Sequence, residues 1–95
     1  MGDGSPISSG LSSLKKVILK ALTENQILLL HEINSNSTKT VTTLVNELSS
    51  NLKIPISTLK LNSRILKKLD LIEFEISQPV ELTDTGKLIL TILER

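Results

Sequence analysis

The sequence predicts a mostly helical domain carrying one small β-hairpin near its C-terminal end. Three observations lead there. Apolar residues recur at helical spacing in five separate stretches, the period switches to two only between residues 72 and 82, and 95 residues leave no room for a second core. With 19 Leu and 11 Ile against one aromatic residue, Phe74, branched aliphatic side chains must fill the interior. At 39% apolar content a chain of this size forms a core without metal or disulfide staples. The absence of Cys excludes a disulfide framework and a thiolate zinc site.

Each element has a local reason. Residues 1–10 are small, polar and rich in Gly and Ser, which predicts a disordered tail ahead of a folded unit over 11–95. A first, added helix over 11–22 carries Leu11, Leu14, Val17, Ile18, Ala21 and Leu22 on one side and turns Lys15, Lys16 and Lys20 away. Thr23 and Gln26 form a capping box for a second helix over 24–34, whose stripe is Ile27, Leu30 and Ile33. The β-branched run 38–43 opens with a short strand, and a third helix follows, with 41–51 as its body and a stripe of Val41, Leu44, Val45, Leu48 and Leu52. Pro55 and Ser57 signal the start of a fourth helix over 57–69. Ile72, Phe74 and Ile76 then alternate with Glu73, Glu75 and Ser77, Gln78 and Pro79 supply a turn, and Val80 and Leu82 alternate back. Thr83 caps a last helix over 84–95, in which Leu88, Ile89, Leu90, Ile92 and Leu93 cover an arc of about 200° and so require two neighbours. The predicted order is α-α-β-α-α-β-β-α.

The fourth helix carries the functional signal. On a wheel of 100° per residue with Leu59 at the origin, Ser63 falls at about 40°, Lys67 at 80°, Lys60 at 100°, Arg64 at 140°, Ser57 at 160° and Lys68 at 180°. Leu61, Ile65, Leu69 and Leu66 occupy the arc from about 200° to 340°, interrupted by Thr58 and Asn62, which predicts that this side faces the core. Charge is sorted along the chain as well: residues 48–69 hold five Lys or Arg and no acid, and residues 69–86 hold five acids and no base. A helix that lines up Lys60, Arg64 and Lys67 with small hydroxyls between them is suited to phosphates beside a major groove. One aromatic residue leaves almost nothing for base stacking on aromatic platforms, the usual device of single-strand binders, which weakens that class.

Two short motifs give this pattern a family. Leu66-Lys67-Lys68-Leu69-Asp70-Leu71-Ile72-Glu73 is similar to the L-x-x-x-G-L-I-x join between recognition helix and wing, and Glu81-Leu82-Thr83-Asp84-Thr85-Gly86 is similar to the L-T-x-x-G start of the last helix. Over about residues 23–93 the chain thus resembles a winged helix-turn-helix domain, broadly of the MarR-like archaeal and bacterial transcription regulators. The resemblance implies that 41–51 is the positioning helix, 57–69 the recognition helix and 71–82 the wing. It implies sequence-specific binding of double-stranded DNA through Ser57, Lys60, Ser63, Arg64 and Lys67, with Lys53 and Lys68 adding phosphate charge. The sequence departs from the pattern in having Asp70 at a position where Gly is common, a long turn over 49–55, and a wing tip, Ser77-Gln78-Pro79, without Lys or Arg.

Other classes find less support. The one histidine, His31, lies near Glu24 at the polar border of its helix with no partner at ligand spacing, and Ser57 and Ser63 have no base nearby, so neither a metal site nor a nucleophile is expected. No cofactor is expected and the chain is not read as an enzyme. The longest apolar run is 27–30, far short of the roughly 20 residues a bilayer requires, and no signal-peptide core follows the N-terminus; a cytoplasmic protein without membrane contact is expected. The terminal helices carry more apolar surface than one small core readily hides, so a homodimer through Leu11, Leu14, Ile18, Leu88 and Ile92 is expected, placing two recognition helices about 34 Å apart. The alternatives are packing of those helices on each other within one chain, or cover by a further part of a longer chain. The functional alternative is a protein-interaction module whose acidic hairpin, with Glu73, Glu75 and Glu81, receives a basic partner.

Overall fold

A computed structural model describes residues 6–36 and 38–95, and the elements follow in the order α1 (Pro6–Ala21), α2 (Glu24–Ser35), α3 (Val41–Leu52), α4 (Ile56–Lys68), β1 (Ile72–Glu73), β2 (Glu81–Leu82) and α5 (Asp84–Leu93). The fold is mostly helical, with one small antiparallel sheet in which Ile72 pairs with Leu82 and Glu73 with Glu81. None of the described helices is long and apolar enough to cross a membrane.

Helix α1 begins earlier than its apolar stripe indicates, because Pro6 occupies the first helical position, where its fixed φ is pre-set and its missing N–H is no loss. Residues 6–10, expected in the tail, are therefore helical, and the rest of the expected tail lies outside the described residues. The run 38–43 does not make a strand. Thr40 is taken up as the N-cap of α3, its hydroxyl accepting from the Thr43 N–H, so the extended segment is cut to a single bridge between Thr40 and Pro79. The Val80 N–H donates to the Lys39 carbonyl beside it at 2.9 Å, which ties this segment to the hairpin.

The core gathers Leu29, Leu30 and Ile33 of α2, Leu44, Val45 and Leu48 of α3, Leu59 and Leu66 of α4, Leu71, Ile72, Val80 and Leu82 of the hairpin, and Leu90 of α5. Each such side chain contributes about 1.5–3 kcal/mol when fully buried. The broad arc of α5 meets two neighbours: Leu90 enters this core, while Ile92 is buried on the side where α5 packs against α1.

The two sequence motifs meet in space. Helix α4 closes with the Asp70 N–H on the Lys67 carbonyl and the Leu71 N–H on the Leu66 carbonyl, both 3.0 Å, with Asp70 left-handed at φ 62°. That is a Schellman closure with Asp in the place glycine usually takes, sealed by the apolar pair Leu66 and Leu71. Thr83 then docks on the same turn: its N–H donates to the Leu71 carbonyl at 3.0 Å and its hydroxyl to the Asp70 carbonyl at 2.6 Å. The Thr83 hydroxyl also accepts from the Gly86 N–H, and a Cβ on Gly86 would lie 2.0 Å from the Leu71 carbonyl oxygen. The position admits no side chain.

Candidate nucleic-acid interface

The geometry of α4 is set by a buried polar contact. Gln26 closes the capping box of α2 with Thr23, and its Nε2 donates to Asn62 Oδ1 at 3.0 Å; Asn62 Nδ2 in turn donates to the Thr58 carbonyl at 2.9 Å. Every polar atom of that chain is engaged inside the protein, so burial carries no unpaired group. Leu59, Asn62, Ser63 and Leu66 are thus the inward residues, and the buried arc lies about 80° away from the centre of the expected one.

The rotation changes the fate of several expected site residues. Ser63 is 2% exposed with its hydroxyl on the Leu59 carbonyl at 2.9 Å, so its side chain does not reach a duplex. A serine bonded back to its own helix presents no free polar group and packs in a core position. Conversely Leu61, expected to be inward, is 55% exposed beside the cations. Lys60, Arg64 and Lys68 project from the outer side of α4 in an i, i+4, i+8 row, with Ser57 exposed in its first turn. Ser57 has no capping duty, because the N-cap is Pro55 and no side chain caps this helix. Lys53 is exposed at the left-handed residue, φ 60°, that ends α3.

Among the described residues, carboxylates pair with His31, Lys39 and Lys67, and none lies within 4.0 Å of Lys53, Lys60, Arg64 or Lys68. Lys67 is different. Its Nζ donates to the Phe74 carbonyl at 2.7 Å, lies 3.5 Å from Glu75 Oε2 and stands 4.6 Å over the Phe74 ring centroid. Lys67 is thus turned toward the hairpin, while Lys60, Arg64 and Lys68 face solvent.

Phe74 divides two open grooves. One of about 180 Å³ runs between Val41, Thr42 and Val45 of α3 and Lys60 and Arg64 of α4. A wider one of about 530 Å³ lies between Thr40, Val41 and Thr42 and the hairpin arm with Glu75 and Ile76. Neither groove gathers three potential metal ligands, nor does any other place among the described residues. His31 does not meet Glu24; its Nδ1 lies 3.7 Å from Glu94 Oε2, linking α2 to α5 at the surface.

The five residues expected between two copies divide in the same way. Ile18 and Ile92 are buried within the chain where α1 packs on α5, the arrangement held at its end by Lys15 Nζ on the Arg95 carbonyl at 3.0 Å, so neither is free for a partner. Leu11 is half-buried. Leu14 and Leu88 remain 43% and 59% exposed.

Sequence reasoning missed Gln26, Asn62, Phe74 and Glu75 as the residues that hold α4 and the hairpin in place. Only Gln26 carried a signal, its capping box, and that signal pointed to its own helix alone. Comparison with known proteins finds no family model, no curated protein and no solved structure that matches the chain.

Proposed function

We propose that the chain is a winged helix-turn-helix protein that binds double-stranded DNA and acts in transcription regulation, with α3 as positioning helix, α4 as recognition helix and residues 71–82 as wing. The observation that carries the reading is the outer face of α4: Lys60, Arg64 and Lys68 exposed in one row with, among the described residues, no carboxylate beside them. At 1.5 Å per residue the row runs about 12 Å along the helix, whose diameter of about 10–12 Å fits a major groove about 12 Å wide. Ser57 and Lys53 extend it toward the phosphates that flank such a groove.

Two copies are proposed to pair through the flanks of α1 and α5 left open around Leu14, Val17 and Leu88, all exposed. The test is selection of binding sites from random duplex, followed by gel retention at about 50 mM salt, where sequence-independent phosphate attraction is still strong. Retention with enrichment of a palindromic site supports both parts of the reading. No retention at that salt overturns the first.

A second reading has its own support. Glu73 and Glu81 are direct cross-strand partners, both exposed, and like charges opposite each other destabilise a sheet. A basic protein docked on the hairpin would relieve that repulsion. In an NMR titration the interaction reading requires shifts in the hairpin with α4 silent, and the duplex reading requires shifts along α4.

A further inference from the structure

We infer that Lys67 is the residue that sets the pose of the hairpin on α4, a positioning residue and not a phosphate contact, although it belongs to the same cationic run as Lys60 and Arg64. The inference deepens the duplex-binding reading and rests on it for its DNA arm.

The hairpin is too short to fix itself. Its ladder has two residues on each strand and ends at Glu73, so the carbonyl of the next residue, Phe74, has no strand partner. Lys67 supplies the missing donor. Its ammonium has three protons, and three features of the hairpin arm surround it: the Phe74 carbonyl at 2.7 Å, the Glu75 carboxylate at 3.5 Å and the Phe74 ring at 4.6 Å. These contacts hold the ammonium toward the hairpin arm, and a phosphate competes with the Glu75 carboxylate for it. Beyond Phe74 the loop is held by the Gln78 N–H on the Glu75 carbonyl at 3.1 Å, a turn in which Ser77 is left-handed at φ 64°, and by the Thr40–Pro79 bridge. Glu75 is therefore both an anchor for Lys67 and the acceptor that closes the turn. Fixing it fixes the direction in which residues 76–78 leave the body of the protein.

The test compares Lys67→Met, which keeps the aliphatic stem and removes the charge, with Lys60→Ala. A phosphate contact contributes about 0.9 to the slope of log affinity against log salt. Lys60→Ala is expected to lower the slope by about that amount, and Lys67→Met to leave it within about 0.3 while weakening hydroxyl-radical protection on the flank of the site beside the hairpin. A slope loss near 0.9 for Lys67→Met overturns the inference.

A second arm needs no DNA. Amide hydrogen exchange at Gln78 is expected to quicken at least tenfold in Lys67→Met, and in Phe74→Leu, which retains the lysine charge. Unchanged exchange at Gln78 in both variants overturns the inference whatever the DNA result. If the wild type fails to retain duplex while Lys67→Met loosens Gln78, the duplex reading falls and the positioning role stands.

Discussion

Replacing Lys60, Arg64 and Lys68 together by Ala removes the outer face of α4 without touching its packing, since all three side chains are exposed and none pairs with a carboxylate among the described residues. If each neutralises one phosphate, the salt slope falls by about 2.7 in total, at about 0.9 per contact. Between about 50 and 200 mM salt that difference amounts to about 40-fold, so the wild type loses about 40 times more affinity across this interval than the triple variant does. Fluorescence anisotropy on a labelled duplex at four or five salt concentrations measures it directly. The control is a triple replacement of Lys16, Lys20 and Lys87, exposed residues on α1 and α5, which makes the same change in net charge away from α4. Its slope is expected to move by less than about 0.5, because a long-range effect of net charge is screened beyond about 10 Å. A triple variant of α4 whose slope drops by less than about 1, or a control that drops as far, refutes the assignment of this face to the duplex.

Three further expectations concern the scaffold. Gly86→Ala places a methyl group 2.0 Å from the Leu71 carbonyl oxygen, so the start of α5 must move by more than 1 Å and the Thr83–Leu71 hydrogen bond is lost; a destabilisation of about 2–4 kcal/mol is expected in urea unfolding, and a loss under 1 kcal/mol contradicts the packing described. Asp70→Gly relieves a left-handed residue and is expected to raise stability by about 0.5–1 kcal/mol, seen as a Tm several degrees higher, whereas a lower Tm means that the Asp side chain contributes something else. Asn62→Leu leaves the Gln26 amide buried without its acceptor and is expected to cost about 1–3 kcal/mol by chemical denaturation, with a neutral result arguing against the pair.

What the sequence disclosed was local physics. The capping box of Thr23 and Gln26 and the Thr83 cap are formed as their spacing demands, because a hydroxyl and an N–H three residues apart need nothing from the rest of the fold. Asp70, which departs from the family pattern in standing where Gly is common, takes the left-handed conformation that such a glycine would. What the sequence concealed depends on neighbours distant in the chain. Asn62 reads as a polar interruption of an apolar face and Ser63 as a hydroxyl of the cationic one, yet Asn62 finds Gln26 across the helix pair and Ser63 bonds its own turn, so both sit inside while Leu61 faces out. A wheel weighs residue types, and it cannot see a hydrogen bond across 36 residues. Nor can it tell burial between α1 and α5 of one chain from burial against a second copy, and Ile18 and Ile92, expected between two copies, are buried within the chain.

The site repeats this division. That residues 53–68 concentrate positive charge is a fact of composition, whereas the line expected through Lys60, Arg64 and Lys67 is in the structure an outer row of Lys60, Arg64 and Lys68. That Lys67 turns from the row follows only from where the hairpin returns. The base of the hairpin is placed by the joint at which the two motifs meet, and Lys67 holds its arm from there: the closing turn of α4 at Asp70 and Leu71 receives Thr83, and Gly86 clears the way for it. A residue with a side chain at position 86 would tilt α5 and β2 away from α4 and carry Phe74 away from Lys67. On this argument the two motifs form one mechanical unit. A small displacement at a glycine remote from the cationic row is then expected to alter how the hairpin stands beside a bound duplex while leaving the row, and its salt dependence, intact.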